Sequence, residues 1–176
     1  CLRRLENQPP KIVVTDSQAF QKVAQDTPDN ILMTSFSILF ARYKGDLNEF
    51  VNGALAIAKL KPGDKVLIAE SCSHHPIAED IARVKIPRWM GQYVGGELKF
   101  NVCQGNDFPE DLAEYKLVVQ CGGCMTNRRQ VLSRIEHCRK KAVPITNYGI
   151  AIAYVLGIFD RALRPFAQGL DYFRKG

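Results

Sequence analysis

The sequence predicts an α/β fold in which a parallel sheet carries helices on both faces. Two observations lead to this class. From residue 66 onward, short apolar segments alternate regularly with helical ones. The apolar segments are also continuous, instead of alternating apolar and polar residues, and this is typical of parallel strands that are buried on both faces. We therefore expect one sheet that is covered by helices.

The elements after residue 61 follow one another in βα order. Pro62-Gly63-Asp64 is a turn signal that separates them from the preceding segment. The apolar runs predict strands at 66–70, 98–103, 116–120 and 143–146. Between and after them we expect helices that end near 94, span 126–141 and span 149–164, with a short helix begun by DFPED at 107–111.

The first 60 residues predict the later part of a different α/β unit. A KIVV strand is followed by a helix with Asp16 or Ser17 as its cap, and a second helix covers DLNEFVNGALAIAKL. The chain opens without an initiator Met, so we expect it to be a piece of a longer protein whose earlier strands precede it. We predict a partial domain at 1–60 and a second domain at 61–176.

Composition and charge exclude several function classes. A chain of 176 residues with 46% apolar content can bury a substantial core. Its net charge of +6 comes with basic clusters at 83–88, 127–129 and 139–141. No nucleic-acid recognition motif accompanies these clusters, so we expect no nucleic-acid partner, and an acidic protein or an anionic ligand is the functional alternative to solvated helix faces.

Cysteine usage and hydropathy predict a cytoplasmic protein. The six cysteines do not show the spacing of a small secreted disulfide framework, which favours a reducing compartment. The longest apolar run, at 149–159, is too short to span a bilayer, so no membrane association is expected.

Three loops at one edge of the predicted sheet carry reactive side chains. They are ESCSHHPIAED after the first strand, QCGGCMTN after the third and TNYG after the fourth. Ligands of open α/β sheets bind outside the carboxyl ends of the strands. We therefore expect Cys72, Cys121 and Cys124 to converge, although 49 residues separate the first two.

The CxxC spacing of Cys121 and Cys124 lets both thiols reach one metal ion or cluster. Gly122 and Gly123 allow a tight backbone there, and the positive end of the next helix favours an anionic centre. Adding Cys72 and His74 completes a CxH…CxxC set. Zinc in a closed Cys3His site and an iron–sulfur cluster on three thiolates are equally supported by spacing, whereas a redox dithiol would leave half of the set without a role.

The remaining candidates have simpler interpretations. Glu79 and Asp80 lie on the first loop, where they can cap a helix or supply an oxygen ligand. Cys103 in a strand and Cys138 in a helix are expected to be buried and unreactive.

The long motifs of this chain resemble those of the HydF family, the maturation GTPases of FeFe-hydrogenases. The resemblance rests on ESCSHHPIAEDIARVKIPRW, VVQCGGCMTNRRQVLSRI, PITNYG, VVTDSQAFQKVAQDTP and TSFSILFARYKGDL. It implies a homodimer built from a GTPase domain, a dimerisation domain and a cluster domain. Because no GxxxxGK[ST] motif occurs here, the GTP-binding domain is expected to be missing, and with it any enzymatic activity of the chain.

The resemblance further implies a 4Fe-4S cluster on Cys72, Cys121 and Cys124 with a labile fourth position. Such a scaffold receives a diiron precursor assembled with the radical enzymes HydE and HydG and delivers it to apo FeFe-hydrogenase. One residue departs from the family signature, because Gln120 stands where many members have a histidine before the first Cys. Gln is a poor iron ligand, so His74 and Glu79 are the leading candidates for the fourth position.

Overall fold

A computed structural model describes residues 9–71, 80–105 and 107–174. The described chain begins with two parallel strands, β1 (Ile12–Thr15) and β2 (Leu32–Ser35), which pair directly. A 3-10 turn (Ser17–Ala19) and helix α1 (Phe20–Asp26) connect them. The Asp16 side chain accepts a hydrogen bond from the Gln18 N–H at 2.8 Å, so the predicted cap is confirmed.

Two helices follow this small sheet. Helix α2 (Phe36–Lys44) starts where β2 ends, and Ser35 caps it. Helix α3 (Leu47–Leu55) is capped by Asp46, whose carboxylate accepts from the Glu49 N–H, and it continues into a 3-10 turn (Ala56–Lys59). Both N-caps are side-chain oxygens that satisfy backbone donors left without a partner at a helix start.

The central sheet has four strands in the order β4-β3-β5-β6, and every pairing is parallel. The strands are β3 (Lys65–Glu70), β4 (Lys99–Gln104), β5 (Tyr115–Gln120) and β6 (Ile145–Asn147). In this register Ala69 lies opposite both Cys103 and Gln120, and Gln120 lies opposite Asn147. The carboxyl ends of the strands therefore meet at one rim, and the predicted α/β class is confirmed.

Helices cover the sheet on both faces. A π-helical turn (Ile81–Lys85) and α4 (Ile86–Val94) belong to the crossover from β3 to β4, and α5 (Arg128–Lys140) joins β5 to β6. These crossovers run to opposite edges of the sheet, so right-handed connections place α4 and α5 on opposite faces. Helix α6 (Tyr148–Val155) is apolar along its length and contacts α2, α3 and α4.

Helix α3 covers the edge strand β6. A Cβ atom added at Gly53 would lie 1.9 Å from the Ile145 carbonyl oxygen, so only glycine permits this approach. The Thr146 hydroxyl donates to the Phe50 carbonyl at 2.9 Å. The segment before residue 60 is thus packed directly on the sheet that follows it.

Two predicted helices differ from the structure. The helix expected at 149–164 is divided into α6 and α7 (Phe159–Leu163), because Gly157 adopts a left-handed conformation with φ of +72° and ends the first one. The short helix expected from DFPED does not form. Residues 107–111 are irregular with a bend at Glu110, since Pro109 lacks an N–H and the buried side chain of Leu112 lies three residues before β5.

Candidate metal centre

The rim of the central sheet carries a cavity of about 380 Å³ that contains both members of the CxxC pair. Cys121 directly follows β5 and is partly buried, whereas Cys124 is exposed. The cavity is lined by Asp16, Ser17, Gln18, Ser37, Glu70, Ser71, Ile81, Cys121, Gly122, Gly123, Cys124 and Tyr148. Within the described residues, the loop that follows β5 therefore lies beside the end of β3, and the convergence of Cys72 with these two thiols stays a prediction.

Part of the predicted ligand set cannot be placed. Cys72, His74 and Glu79 lie outside the described residues. Within 9–71, 80–105 and 107–174, no group of three or more His, Cys, Asp or Glu side chains could hold a metal ion. The four-ligand set thus stays a prediction, and Cys121 with Cys124 is the part of it that the structure brings to one cavity.

The CGGC loop is held by backbone hydrogen bonds and by a lysine from α2. Gly123 adopts φ of +69°, and its carbonyl accepts from the Thr126 N–H at 3.2 Å. Lys44 Nζ donates to the Gly123 carbonyl at 2.7 Å and to the Cys124 carbonyl at 3.0 Å. The carbonyls therefore turn towards α2, which fixes the course of the loop between the two thiols.

Asn147 braces the loop from the end of β6. Its Oδ1 accepts from the Ser37 hydroxyl at 2.8 Å and from the Gly149 N–H at 2.9 Å, while its Nδ2 donates to the Cys121 carbonyl at 3.4 Å. The TNYG motif therefore contributes a structural amide to the rim. Ser37 and Lys44 come from the segment before residue 60, and no pattern in the sequence connects them to the thiols.

Ser71 and Gln120 lie against the first thiol. Cys121 Sγ and Ser71 Oγ are 3.0 Å apart. Gln120 Nε2 donates to Ser71 Oγ at 2.9 Å and lies 3.5 Å from Cys121 Sγ, and Gln120 Oε1 accepts from Arg134 at 2.8 Å. Gln120 is thus 1% exposed, and both the oxygen and the nitrogen of its amide make hydrogen bonds.

Family models match nearly the whole chain. The model of the hydrogen maturase F tetramerization domain matches residues 48–165, more than half of the chain. The model of the hydrogen maturase F dimerization domain matches residues 2–45.

The chain belongs to the hydrogen maturase F family.

The resemblance found in the sequence is therefore confirmed, and the role of this family member lies in hydrogenase maturation. No curated protein matches the chain. Both matched domains are named for association, which indicates that the chain forms assemblies with itself. Helices α1 and α2 fall in the dimerization range, and the CGGC loop falls in the tetramerization range. The bonds from Lys44 to the loop thus join the two ranges.

Asp80 in this hydrogen maturase F chain is already engaged by protein groups. Its Oδ1 accepts from the Ala82 N–H at 2.7 Å and from the Arg83 N–H at 3.1 Å, and its Oδ2 pairs with Arg83 at 2.7 Å. Partial burial opposes ionisation, but the hydrogen bonds from Arg83 and Ala82 outweigh it and lower the pKa of Asp80. Asp80 therefore caps the π-helical turn, which is one of the two interpretations that the sequence allowed.

The basic clusters are largely bonded within the chain. Arg83 also pairs with Glu70 at 3.3 Å, Lys85 donates to Gln18 at 2.9 Å, and Arg128 donates to the Tyr43 carbonyl at 2.7 Å. The bonds of Lys85 and Arg128 tie the π-helical turn and the start of α5 to the N-terminal segment, whereas that of Arg83 ties the turn to β3. Among the described residues, no helix combines the length and the hydropathy of a membrane-spanning segment.

Tyr148 adds a buried hydroxyl to the cavity wall. It is 6% exposed, and its hydroxyl has no hydrogen-bond partner among the residues that the structure describes. Burial, and then the nearby Cys121, raises the pKa of Tyr148, so this group stays a neutral donor. The sequence predicted only that TNYG forms a loop at the rim, and no pattern in it indicated this tyrosine.

Proposed function

We propose that this chain holds a 4Fe-4S cluster on Cys72, Cys121 and Cys124 and leaves the fourth iron position to an exchangeable ligand. One observation carries the proposal: Ser71 Oγ lies 3.0 Å from Cys121 Sγ, and Cys72 follows Ser71 directly in the sequence. Because a peptide bond joins Ser71 to Cys72, Cys72 cannot be far from Cys121, and this supports a shared site for the three thiols.

The chemistry of the donor set fits an iron–sulfur cluster. Thiolates are the usual ligands of such clusters. The cavity beside Cys121 and Cys124 measures about 380 Å³. If a Cβ atom were added at Gly122, it would lie 3.3 Å from the Ser37 hydroxyl oxygen. When it is bound by three thiolates, a cluster supplies one iron that has no protein sulfur on it, and that position suits a cargo that must arrive and leave.

In this proposal the chain is a carrier and has no catalytic activity of its own. It receives the diiron precursor that HydE and HydG help to assemble, and it delivers the precursor to apo FeFe-hydrogenase. The family membership supports a role in this maturation, and the exposed Cys124 supports access for a partner.

Anaerobic reconstitution with iron and sulfide tests the cluster. We expect about four irons and four sulfides per chain and an EPR signal after reduction. Replacing Cys72, Cys121 or Cys124 by serine should abolish both. Cys103→Ser is the matched control, because Cys103 is only 9% exposed and lies within β4, and it should keep the cluster. One tightly held zinc without an iron–sulfur signal would instead establish a closed Cys3His site that includes His74.

Delivery needs a separate measurement. The loaded chain, purified away from HydE and HydG, should activate apo FeFe-hydrogenase when the two are mixed, and hydrogen evolution reports this. Cys121→Ser should not activate it. Activation by the serine variant at the level of the parent chain would contradict a carrier that uses this site.

For the fourth iron position we favour His74 or Glu79 over Asp80. The Asp80 carboxylate already accepts two backbone hydrogen bonds and pairs with Arg83, so binding iron would cost these contacts. Replacing His74 and Glu79 by alanine in turn should change the EPR spectrum of the reduced cluster, whereas unchanged spectra in both variants would exclude them.

A further inference from the structure

The amide of Gln120 has only one possible orientation in its environment. An arginine side chain donates hydrogen bonds and accepts none, so the group that faces Arg134 must be the amide oxygen. The amide nitrogen then faces Ser71 Oγ at 2.9 Å and Cys121 Sγ at 3.5 Å. Arg134 therefore decides that Gln120 presents N–H groups, and not an oxygen, to this side of the rim.

The same logic extends to Ser71. Its oxygen accepts from Gln120 Nε2, so its own O–H is free to donate to Cys121 Sγ at 3.0 Å once that sulfur carries no proton. Two donors then converge on one sulfur. Such an arrangement stabilises a negative sulfur atom, whether the sulfur is free or bound to a metal.

Arg134 brings a buried positive charge to this network. It is 8% exposed, stacks on Phe108 with its guanidinium carbon 5.1 Å from the ring centre, and donates to the carbonyls of Glu70, at 3.3 Å, and Gly105. All of these partners are neutral, and within the described ranges no carboxylate pairs with it. A buried cation that lacks a carboxylate is costly unless an anionic group compensates for it.

We infer that Gln120, oriented by Arg134, is a positioning residue that directs hydrogen-bond donors at the sulfur of Cys121 and thereby stabilises the negative charge that this sulfur carries when it binds a metal. The inference deepens the proposed function, because it assigns a role to the one residue that departs from the family signature. Gln120 then acts on the ligand sulfur and is not itself a ligand.

Gln120→Glu is the variant that isolates this effect. The carboxylate keeps the shape of the side chain and can still accept from Arg134, but it removes the N–H groups that face the sulfur and adds a negative charge. In the metal-free chain, iodoacetamide labels Cys121 and Cys124, and mass spectrometry gives the ratio of the two rates within each sample. We expect the Cys121 to Cys124 ratio to fall at least about threefold, because the N–H donors are lost and the new carboxylate repels the negative charge of the reacting sulfur.

Gln130→Glu is the matched control. It makes the same change in charge on an exposed residue of α5 that lines the neighbouring cavity with Ser71 and Arg134. Its labelling ratio should equal that of the parent chain. Ser71→Ala removes the second donor at a half-buried position, so it should also lower the labelling ratio. This variant tests the inference independently if Gln120→Glu does not fold. An unchanged ratio in Ser71→Ala and in folded Gln120→Glu would overturn the inference.

The reconstituted protein provides a second readout that a purely structural role would not change. Loss of hydrogen-bond donors to a ligand sulfur makes the reduction potential of an iron–sulfur cluster more negative. We therefore expect a negative shift in EPR-monitored redox titrations of Gln120→Glu and no shift in Gln130→Glu. If no cluster forms in the parent chain, the proposed function fails, and the labelling ratio of the metal-free chain still decides the inference.

Discussion

Two pairs of cysteines in this protein occupy opposite environments around the same sheet. Cys121 and Cys124 follow β5 at the rim and line a cavity. Cys103, within β4, is 9% exposed, and Cys138, on α5, is fully buried. Burial raises the pKa of the Cys103 thiol, and it raises that of Cys138 to about 12, so these thiols stay protonated and bind metals poorly. A cysteine of this chain is therefore a candidate ligand because of its position at the end of a strand, where its thiol faces a cavity. The presence of a thiol alone is not enough.

The largest expected effect is the difference in labelling between the two environments. In the native metal-free chain, iodoacetamide should modify Cys124 at least about a thousandfold faster than Cys138, because Cys138 reacts only after the core opens. Mass spectrometry of timed samples measures both rates, and a denatured sample in which the rates become similar is the control. Comparable rates in the native chain would remove the contrast.

A second prediction addresses the packing that keeps core and rim together. Gly53→Ala should lower the free energy of unfolding by about 3 kcal/mol or more, because the added Cβ would lie 1.9 Å from the Ile145 carbonyl oxygen. Thermal or urea unfolding measures the loss. Gly91→Ala, in α4, is the control, since the added Cβ would lie 3.3 Å from its nearest neighbour, the Gly96 carbonyl oxygen. Equal stability of the two variants would show that α3 can move away from β6.

The buried thiol also predicts a pH dependence. Cys138 has an ordinary pKa of 9.0, raised to about 12 in the folded chain, so above pH 9 the unfolded chain loses a proton that the folded chain keeps. The free energy of unfolding should therefore fall, relative to Cys138→Ala, by up to about 1.4 kcal/mol per pH unit between pH 9 and 12. Urea unfolding at several pH values measures this. Parallel curves for the two chains would mean that Cys138 ionises freely in the folded state.

The smallest expected effect concerns the lysine clamp on the rim loop. Lys44→Met removes the donors to the Gly123 and Cys124 carbonyls, so the loop should open more often. Hydrogen exchange of a peptide that covers 121–127 should become about three- to tenfold faster. Lys22→Met is the matched control, because the Lys22 side chain is 85% exposed. Exchange that is unchanged by Lys44→Met would show that the glycines alone hold the loop.

Much of the fold could be predicted from the chain alone. The continuous apolar runs of β3 and β5 identify strands that are buried on both faces, and their central residues are at most 1% exposed. The breaks were harder to predict. The division between α6 and α7 depends on the left-handed conformation of Gly157, and DFPED carries helix-start signals although its residues form no helix.

For the site, the residue types and their order along the chain could be predicted without the fold. The CxxC pair, its glycines and the α5 start that follows are local features, because residues that are close in sequence can be interpreted without knowing the fold. The parallel strand pattern was also enough to place the Cys121 loop and the end of β3 at one edge.

The distant side chains that support the thiols are evident only once the chain is folded. Lys44 reaches Gly123 across 79 residues, Arg134 orients Gln120 from the next helix, and Ser37 meets Asn147 across 110 residues. Each of these contacts is a single hydrogen bond between residues that are common in any sequence, so it leaves no periodicity or spacing to detect. Such contacts exist because the packing of α2, α5 and β6 brings donors and acceptors within about 3 Å of one another, and hydrogen bonds are directional and short-ranged.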